Sequence, residues 1–426
     1  MRVELAYGRD GLSVTLPGDA PITVVEPQYV PGLTDERGAI EAALADPLGS
    51  PPLRALVGPG ETVAVVFSDL TRPMPNDRVL PPLLAALTGA GVPDDRIVLI
   101  NALGTHRPQT DEELVSMLGV ELIDRFRIVQ HDAWDEDQLV GVARNRAGRI
   151  VRVNRAYMEA SVRILTGFVE PHFFAGFSGG PKAVLPGIAD IDAILDNHGA
   201  QLLSHPNATW AKTNGNPLWE EICDVASATQ PTFLLNVALN CDRALTGVFA
   251  GALGPAHRAA VAFVGERAMQ PVSAAFDLVI ASNSGYPLDL NLYQAVKGMS
   301  AAAQIVKPGG DIIVVAECWD GLPDHGEYGR MLREADSVED LLATIFTPGF
   351  RCHDQWEAQI QAQIQQKARV HVYADGLTDA ALRDAMVEPC HSIEETVVAL
   401  RTENPALSIA VLPEGPQTVP YVVAES

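Results

Sequence analysis

A histidine and a lysine bracket a run poor in polar side chains, PHFFAGFSGGPKAVLPG, at residues 171–187. Imidazole titrates near neutral pH and can act as general acid or base. A lysine amine can hold an anion, form a Schiff base or tether a cofactor. The glycines between His172 and Lys182 suit a backbone that approaches something closely or adopts positive φ, and successive N–H groups there can form an anion nest. The phosphate-cradling pattern GxxxxGK[ST] is not met, since Pro181 precedes Lys182 and Ala183 follows it. Two more polar stretches carry candidate groups: SDLTRPMP (68–75) with Arg72, and GTHRP (104–108) with His106. Taken singly, each has a bland reading as a turn arginine, a capping histidine or a loop histidine.

Further along, His198 sits in DNHGA near a helix end, where a lone imidazole reads first as a helix-terminal charge. No HExxH spacing supports conventional zinc chemistry. Gln294 and Lys297 are three apart and share a helix face, so amide and ammonium together could grip a carboxylate. Tyr293 points elsewhere on that wheel, and Trp356 opens a later helix as a packing residue.

These groups need elements to hold them. ETVAVVFS (61–68), RIVLINAL (96–103) and SVRILTGFV (161–169) read as strands, and 78–91 as a helix. Thr110 with Glu113 predicts a capping box. Each of the three polar loops follows one of these strands. In a parallel α/β sheet, ligands bind beyond the strands' carboxyl ends, so neighbouring strands would bring Arg72, His106 and His172 into one crevice. A second set follows: strands at 276–282, 311–317 (after a KPGG turn), 368–375 and 407–415, with helices at 290–306, 354–370 and 392–403, the last capped by Ser392. The alternation predicts an α/β fold of two domains with largely parallel sheets and an active site in the cleft between them. The boundary falls near residue 270, giving domains 1–270 and 271–426, with the C-terminal tail of about 25 residues packing back on the first domain.

Composition narrows the partners. The 426 residues carry a formal charge of −24 with 20% charged and 47% hydrophobic residues. A chain this acidic is a poor fit for nucleic acid or an anionic membrane, yet a few focused cations can still bind a small anion. The five scattered cysteines form no CxxC, and the N-terminus shows no apolar leader region, which together predict a cytoplasmic setting without disulfides.

In order and spacing, SDLTRP, GTHRP, HFFAGFSGGPK, NH, YQAVKG and HDQWEAQ resemble the nickel-dependent lactate racemase family over most of the chain. The resemblance implies a racemase or epimerase of a small 2-hydroxy acid, working with a Ni(II)-pyridinium-3,5-bisthiocarboxylate mononucleotide made by separate cofactor-synthesis enzymes. It implies covalent attachment of that nickel pincer at Lys182, nickel ligation by His198, and His106 and His172 as paired acid–base groups. Asp69, Leu70, Thr71 and Arg72 match the segment near cofactor and substrate, and Gln294 and Lys297 the substrate carboxylate site, with Tyr293 and Trp356 beside it. The family's lactate enzymes carry a basic residue just before the attachment lysine. Pro181 stands there in this chain, so the particular 2-hydroxy acid is left open. Pyridoxal phosphate chemistry at Lys182, or a cofactor-binding module without turnover, are the competing readings.

Overall fold

The computed structural model describes residues 1–18, 20–323 and 326–423. Two six-stranded sheets organise them. The first runs Leu245–Gly251, Phe233–Leu239, Val162–Phe168, Val63–Ser68, Ile97–Ala102, Arg127–Gln130. Only its edge hairpin is antiparallel; the other pairings are parallel. Val63 to Phe67 are completely buried, as expected of a central strand covered by helices on both faces. From Val63–Ser68 the chain steps outward to 97–102 and 127–130, then returns to the other side with 162–168 and 233–239. Strand order therefore reverses at Val63–Ser68, which makes its carboxyl end a topological switch point.

The second sheet is parallel throughout, in the order Glu388–Pro389, Arg369–Tyr373, Val306–Val315, Phe276–Ser282, Ile409–Leu412, Ile22–Val24. Its last strand corrects the expected division of the chain. Residues 22–24, assigned to the first domain from sequence, pair with Ile409–Val411 in the second sheet. The hairpin of Arg2–Leu5 and Leu12–Thr15 also packs its apolar side on this sheet, with Leu5 and Val14 against Ile280 and Val411. No local pattern announces such a pairing across the whole chain. At the other end, Val419–Val422 runs parallel to Met269–Val272, and the turn Gly415–Gln417 touches the short strand Pro171–His172. The final residues of the tail, 424–426, lie outside the described residues.

Several local readings agree with the structure. Thr110 and Glu113 form the reciprocal capping box, and Ser392 caps Ile393–Glu403. KPGG is different: it lies inside the strand Val306–Val315, where the register against the neighbouring strand shifts between Phe276 and Leu278. The irregularity absorbs the proline and glycines that suggested a turn. Helix Leu292–Ala303 follows Phe276–Ser282 and is capped by Asn291, whose side chain accepts from the Gln294 N–H. Helix Gln355–Lys367 packs against Leu292–Ala303 and Val338–Ile345. It is so enclosed that Gln355, Glu357, Gln359 and Gln361 are at most 1% exposed. All five cysteines are free. Among the described residues, no helix is long and apolar enough to cross a membrane.

Candidate active site

The loops after Val162–Phe168, Val63–Ser68 and Ile97–Ala102 do meet, because those strands are neighbours. They form one wall of a cavity enclosing about 1040 Å³, open mouth included. Asp69, Arg72, His106, His172, Lys182 and His198 line it from the first sheet's side, and Tyr293, Gln294, Lys297, Trp356 and Glu357 from the second's. Leu70 and Thr71 stand apart from this lining. Leu70 packs on the apolar core, and Thr71 donates its hydroxyl to Asp69 Oδ1 at 3.0 Å.

Asp69 is buried and lies 2.6 Å from His106 Nδ1. Burial alone would push this carboxyl up, but the His106 ring, Arg72 and the Thr71 hydroxyl together hold it below its ordinary value. The contact places the neutral His106 proton on Nδ1, facing the carboxylate, and leaves Nε2 as an acceptor. Sequence reading put Asp69 near the cofactor; it did not foresee this pairing across 37 positions.

His172 is built differently. Its Nδ1 accepts the backbone N–H groups of Phe174 (3.5 Å) and Ala175 (3.3 Å), and the ring stacks on Phe173. Those donors favour the tautomer with the proton on Nε2. Lys182 Nζ is 3.3 Å from that Nε2. Burial, then the charges of Lys182, Arg72 and Lys297, lower the His172 pKa well below its ordinary value. This corrects the expectation of two imidazoles titrating near neutrality. Lys182 is itself pushed down to about 7, first by burial and then by Arg72 and Lys297, so much of it is a neutral amine at physiological pH.

The glycines have a structural explanation. At Gly179 and Gly180 φ is +72° and +51°. A Cβ on Gly180 would sit 2.4 Å from the His257 ring, and one on Gly179 2.9 Å from Phe168 O. The close approach is thus to the protein's own strand end. Asn236 Oδ1 accepts the Gly180 N–H at 2.9 Å, and the His257 ring contacts Ser178 O at 3.0 Å. Together they fold the loop back so that Lys182 faces the cavity.

His198 ends helix Ile191–Asn197 with its ring edge-on to Phe174 (5.0 Å) and Trp356 (5.2 Å). Burial, then Lys182, push it down to about 3, so the ring is neutral. Its Nδ1 is buried with no hydrogen-bond partner. The polar acceptor expected for a ligating imidazole's second nitrogen is not present, and ring packing orients this histidine instead. Among the described residues, no cluster of three or more His, Cys, Asp or Glu could hold a metal ion. The neutral His198 imidazole and the buried Lys182 amine line the same cavity.

On the opposite wall, Lys297 donates to Gln294 Oε1 at 2.5 Å, and Trp356 Nε1 donates to Tyr293 OH at 2.8 Å. Tyr293 is thus part of the site wall rather than simple core. Two acidic groups were missed from sequence. Glu170 is pushed up by burial, against the pull of Lys297, Arg72 and Lys182. Glu357 is pushed up to about 8 by burial. Glu357 lies within HDQWEAQ, but a helix with alternating glutamines gave no sign that its polar residues would be enclosed.

Fold and site define a two-domain α/β protein with two imidazoles and a lysine facing an amide–ammonium pair across an interdomain cleft. The chain belongs to the lactate racemase family: residues 7–211 match the Lactate racemase N-terminal domain, and residues 272–419 the Lactate racemase C-terminal domain. The family is one of isomerases, and the chain is an enzyme of that class. It is 36% identical to a lactate racemase of Lactiplantibacillus plantarum over 89% of this chain and 90% of that one. It is 33% identical to one from Thermoanaerobacterium thermosaccharolyticum over 97% of each. The solved apoprotein of a lactate racemase from the latter organism superposes with a TM-score of 0.91 at 32% identity, covering 99% of this chain and 100% of that one. A Thermotoga maritima protein, 19% identical with a TM-score of 0.71, covers 93% of this chain and all of its own, and shares the fold alone.

Proposed function

We propose that the chain racemises a 2-hydroxy carboxylate, lactate or a close relative, using a nickel pincer nucleotide tethered at Lys182 with His198 as the protein's nickel ligand. The observation that carries this reading is the shared cavity: both imidazoles, Lys182, His198, Lys297 and Gln294 line it together. When bound, the cofactor supplies a carbon-centred acceptor that can take a hydride from C2 and return it. The Lys182 amine, its basicity lowered by burial, would be the attachment point, and a neutral His198 would be a suitable donor to Ni(II).

The chain's own groups do the rest. Lys297, Gln294 and Arg72 hold the substrate carboxylate. His106 Nε2 accepts the hydroxyl proton while Asp69 stabilises the resulting imidazolium. His172 Nε2–H hydrogen-bonds the 2-oxygen from a second direction, as a neutral imidazole can. His172 is the second acid–base group of the pair, its basicity lowered first by burial and then by Lys182, Arg72 and Lys297. After the 2-keto acid turns over within the site, the proton that one ring accepted is returned to the 2-oxygen, and the opposite enantiomer meets the two rings in reversed roles. Pro181 is buried in the turn Gly180–Ala183 and brings no charge to the cofactor's edge, so substrates other than lactate belong in the test.

That test is to co-produce the chain with cofactor-synthesis enzymes, weigh it intact, and incubate it with single enantiomers of a panel of 2-hydroxy acids. A mass adduct absent from Lys182→Ala, together with loss of optical purity for at least one acid, is expected. An unmodified wild-type chain, or a loaded chain that leaves the whole panel optically pure, contradicts the proposal.

A further inference from the structure

Among the described residues, Glu357 is the one carboxylate on the second-sheet wall of the cavity, and the racemisation steps above do not use it. It is 1% exposed, and its Oε1 is buried with no hydrogen-bond partner. The hydrogen bonds of its polar neighbours go elsewhere. Lys297 Nζ donates to Gln294 Oε1, and Trp356 Nε1 donates to Tyr293 OH. The Glu357 backbone N–H closes onto Asp354 O. A buried carboxyl oxygen without a partner, on a residue that lines the cavity, is a polar group that a ligand can satisfy.

We propose that Glu357 is a substrate-binding residue, present as the neutral carboxylic acid, whose O–H donates a hydrogen bond to the carboxylate of the 2-hydroxy acid held by Lys297 and Gln294. The inference rests on the racemase reading and adds a third donor to its carboxylate site.

The protonation state follows from the surroundings. Lys297 on helix Leu292–Ala303 and Arg72 on the first-sheet loop favour an ionised Glu357; burial and Asp354, at the start of its own helix, oppose it. The partly buried Tyr293 and the buried Tyr328 add no positive charge. Burial is the largest of these influences. Leaving an ionised oxygen bare in the interior is far more costly than leaving a neutral one there. An arriving substrate carboxylate adds a second negative charge beside Glu357 and favours the proton still more. The neutral acid then turns from a repelling group into a donor, and the oxygen that lacks a partner in the free protein gains one in the complex.

Two substitutions separate a donor from a charge. Gln keeps size, neutrality and an N–H donor; Met keeps approximate size and loses the donor. With cofactor-loaded protein and lactate as the probe, Glu357→Gln should raise KM by less than about threefold, and Glu357→Met by about ten- to a hundredfold, the loss expected for one hydrogen bond to a charged group. Both should leave kcat within about threefold, because the contact is made equally before and during the reaction. The Lys182 adduct mass and the thermal midpoint check that each variant is folded and loaded. If Glu357→Gln is as impaired as Glu357→Met, the negative charge matters and the proposal is overturned. The same holds if Glu357→Met binds lactate like wild type, or if the loss falls on kcat alone. If the loaded wild type neither binds nor racemises any 2-hydroxy acid, the racemase reading itself falls and takes this inference with it. Activity in wild type with a failed Gln rescue overturns this inference alone.

Discussion

His106 lies against the Asp69 carboxylate with 30% of its side chain exposed, whereas His172 is buried, takes backbone N–H groups on Nδ1 and faces Lys182, Arg72 and Lys297. The two loops that carry them sit at comparable strand ends of one sheet, yet they preset opposite tautomers. The carboxylate leaves His106 Nε2 as a hydrogen-bond acceptor; the backbone donors leave His172 Nε2–H as a hydrogen-bond donor. A site that must handle both enantiomers gains from starting with one ring of each kind. The difference also shows that position at a strand end nominates a histidine, while its neighbours decide what that histidine does.

The largest test of this pairing is removal of either ring. His106→Ala and His172→Ala should each lower turnover about a hundred- to ten-thousandfold, with nickel content and adduct mass unchanged. Because the equilibrium constant of racemisation is one, each variant must lose kcat/KM equally in both directions. Full activity in either one would break the comparison. A smaller effect is expected from Asp69→Asn, which keeps the shape and removes the charge that faces His106. A loss of about ten- to a hundredfold in kcat/KM is predicted, the worth of one charge-assisted hydrogen bond. If Asp69→Asn turns over like wild type, the carboxylate is a structural cap rather than a partner to the imidazole.

The smallest effect concerns stability. Lys182 is pushed from 10.5 down to about 7 in the folded apoprotein. Between those values the unfolded chain holds a proton that the folded chain lacks, so this group makes stability rise with pH across that window. Below about 7 both states are charged and the full burial penalty applies; above 10.5 both are neutral and it vanishes. Lys182→Met should therefore raise the thermal midpoint of the apoprotein more at pH 6 than at pH 9. Equal gains at both pH values would mean that the amine is not depressed.

Much of this arrangement could be read from the residues. The strand ends, the Thr110–Glu113 box and the i, i+3 spacing of Gln294 and Lys297 are local patterns, and local patterns survive folding. What could not be read depends on contacts distant in sequence. Residues 22–24 join a strand near position 410, which no window of neighbouring residues encodes. Asp69 and His106 become partners only because their strands pair. Glu357 was hidden for a related reason: helix Gln355–Lys367 looks amphipathic with one wet face, but neighbouring helices cover its glutamines as well. The depressed basicity of His172 and Lys182 comes first from burial and then from charges brought together by two domains.

In the proposed reaction the imidazoles exchange the hydroxyl proton and never carry the hydrogen on C2. Racemisation of a single enantiomer by the loaded protein in D2O, followed by mass analysis of the product, tests this most directly. The account predicts that protium stays at C2 while optical purity disappears. Deuterium entering C2 in step with racemisation would contradict it and make the two rings carbon bases instead.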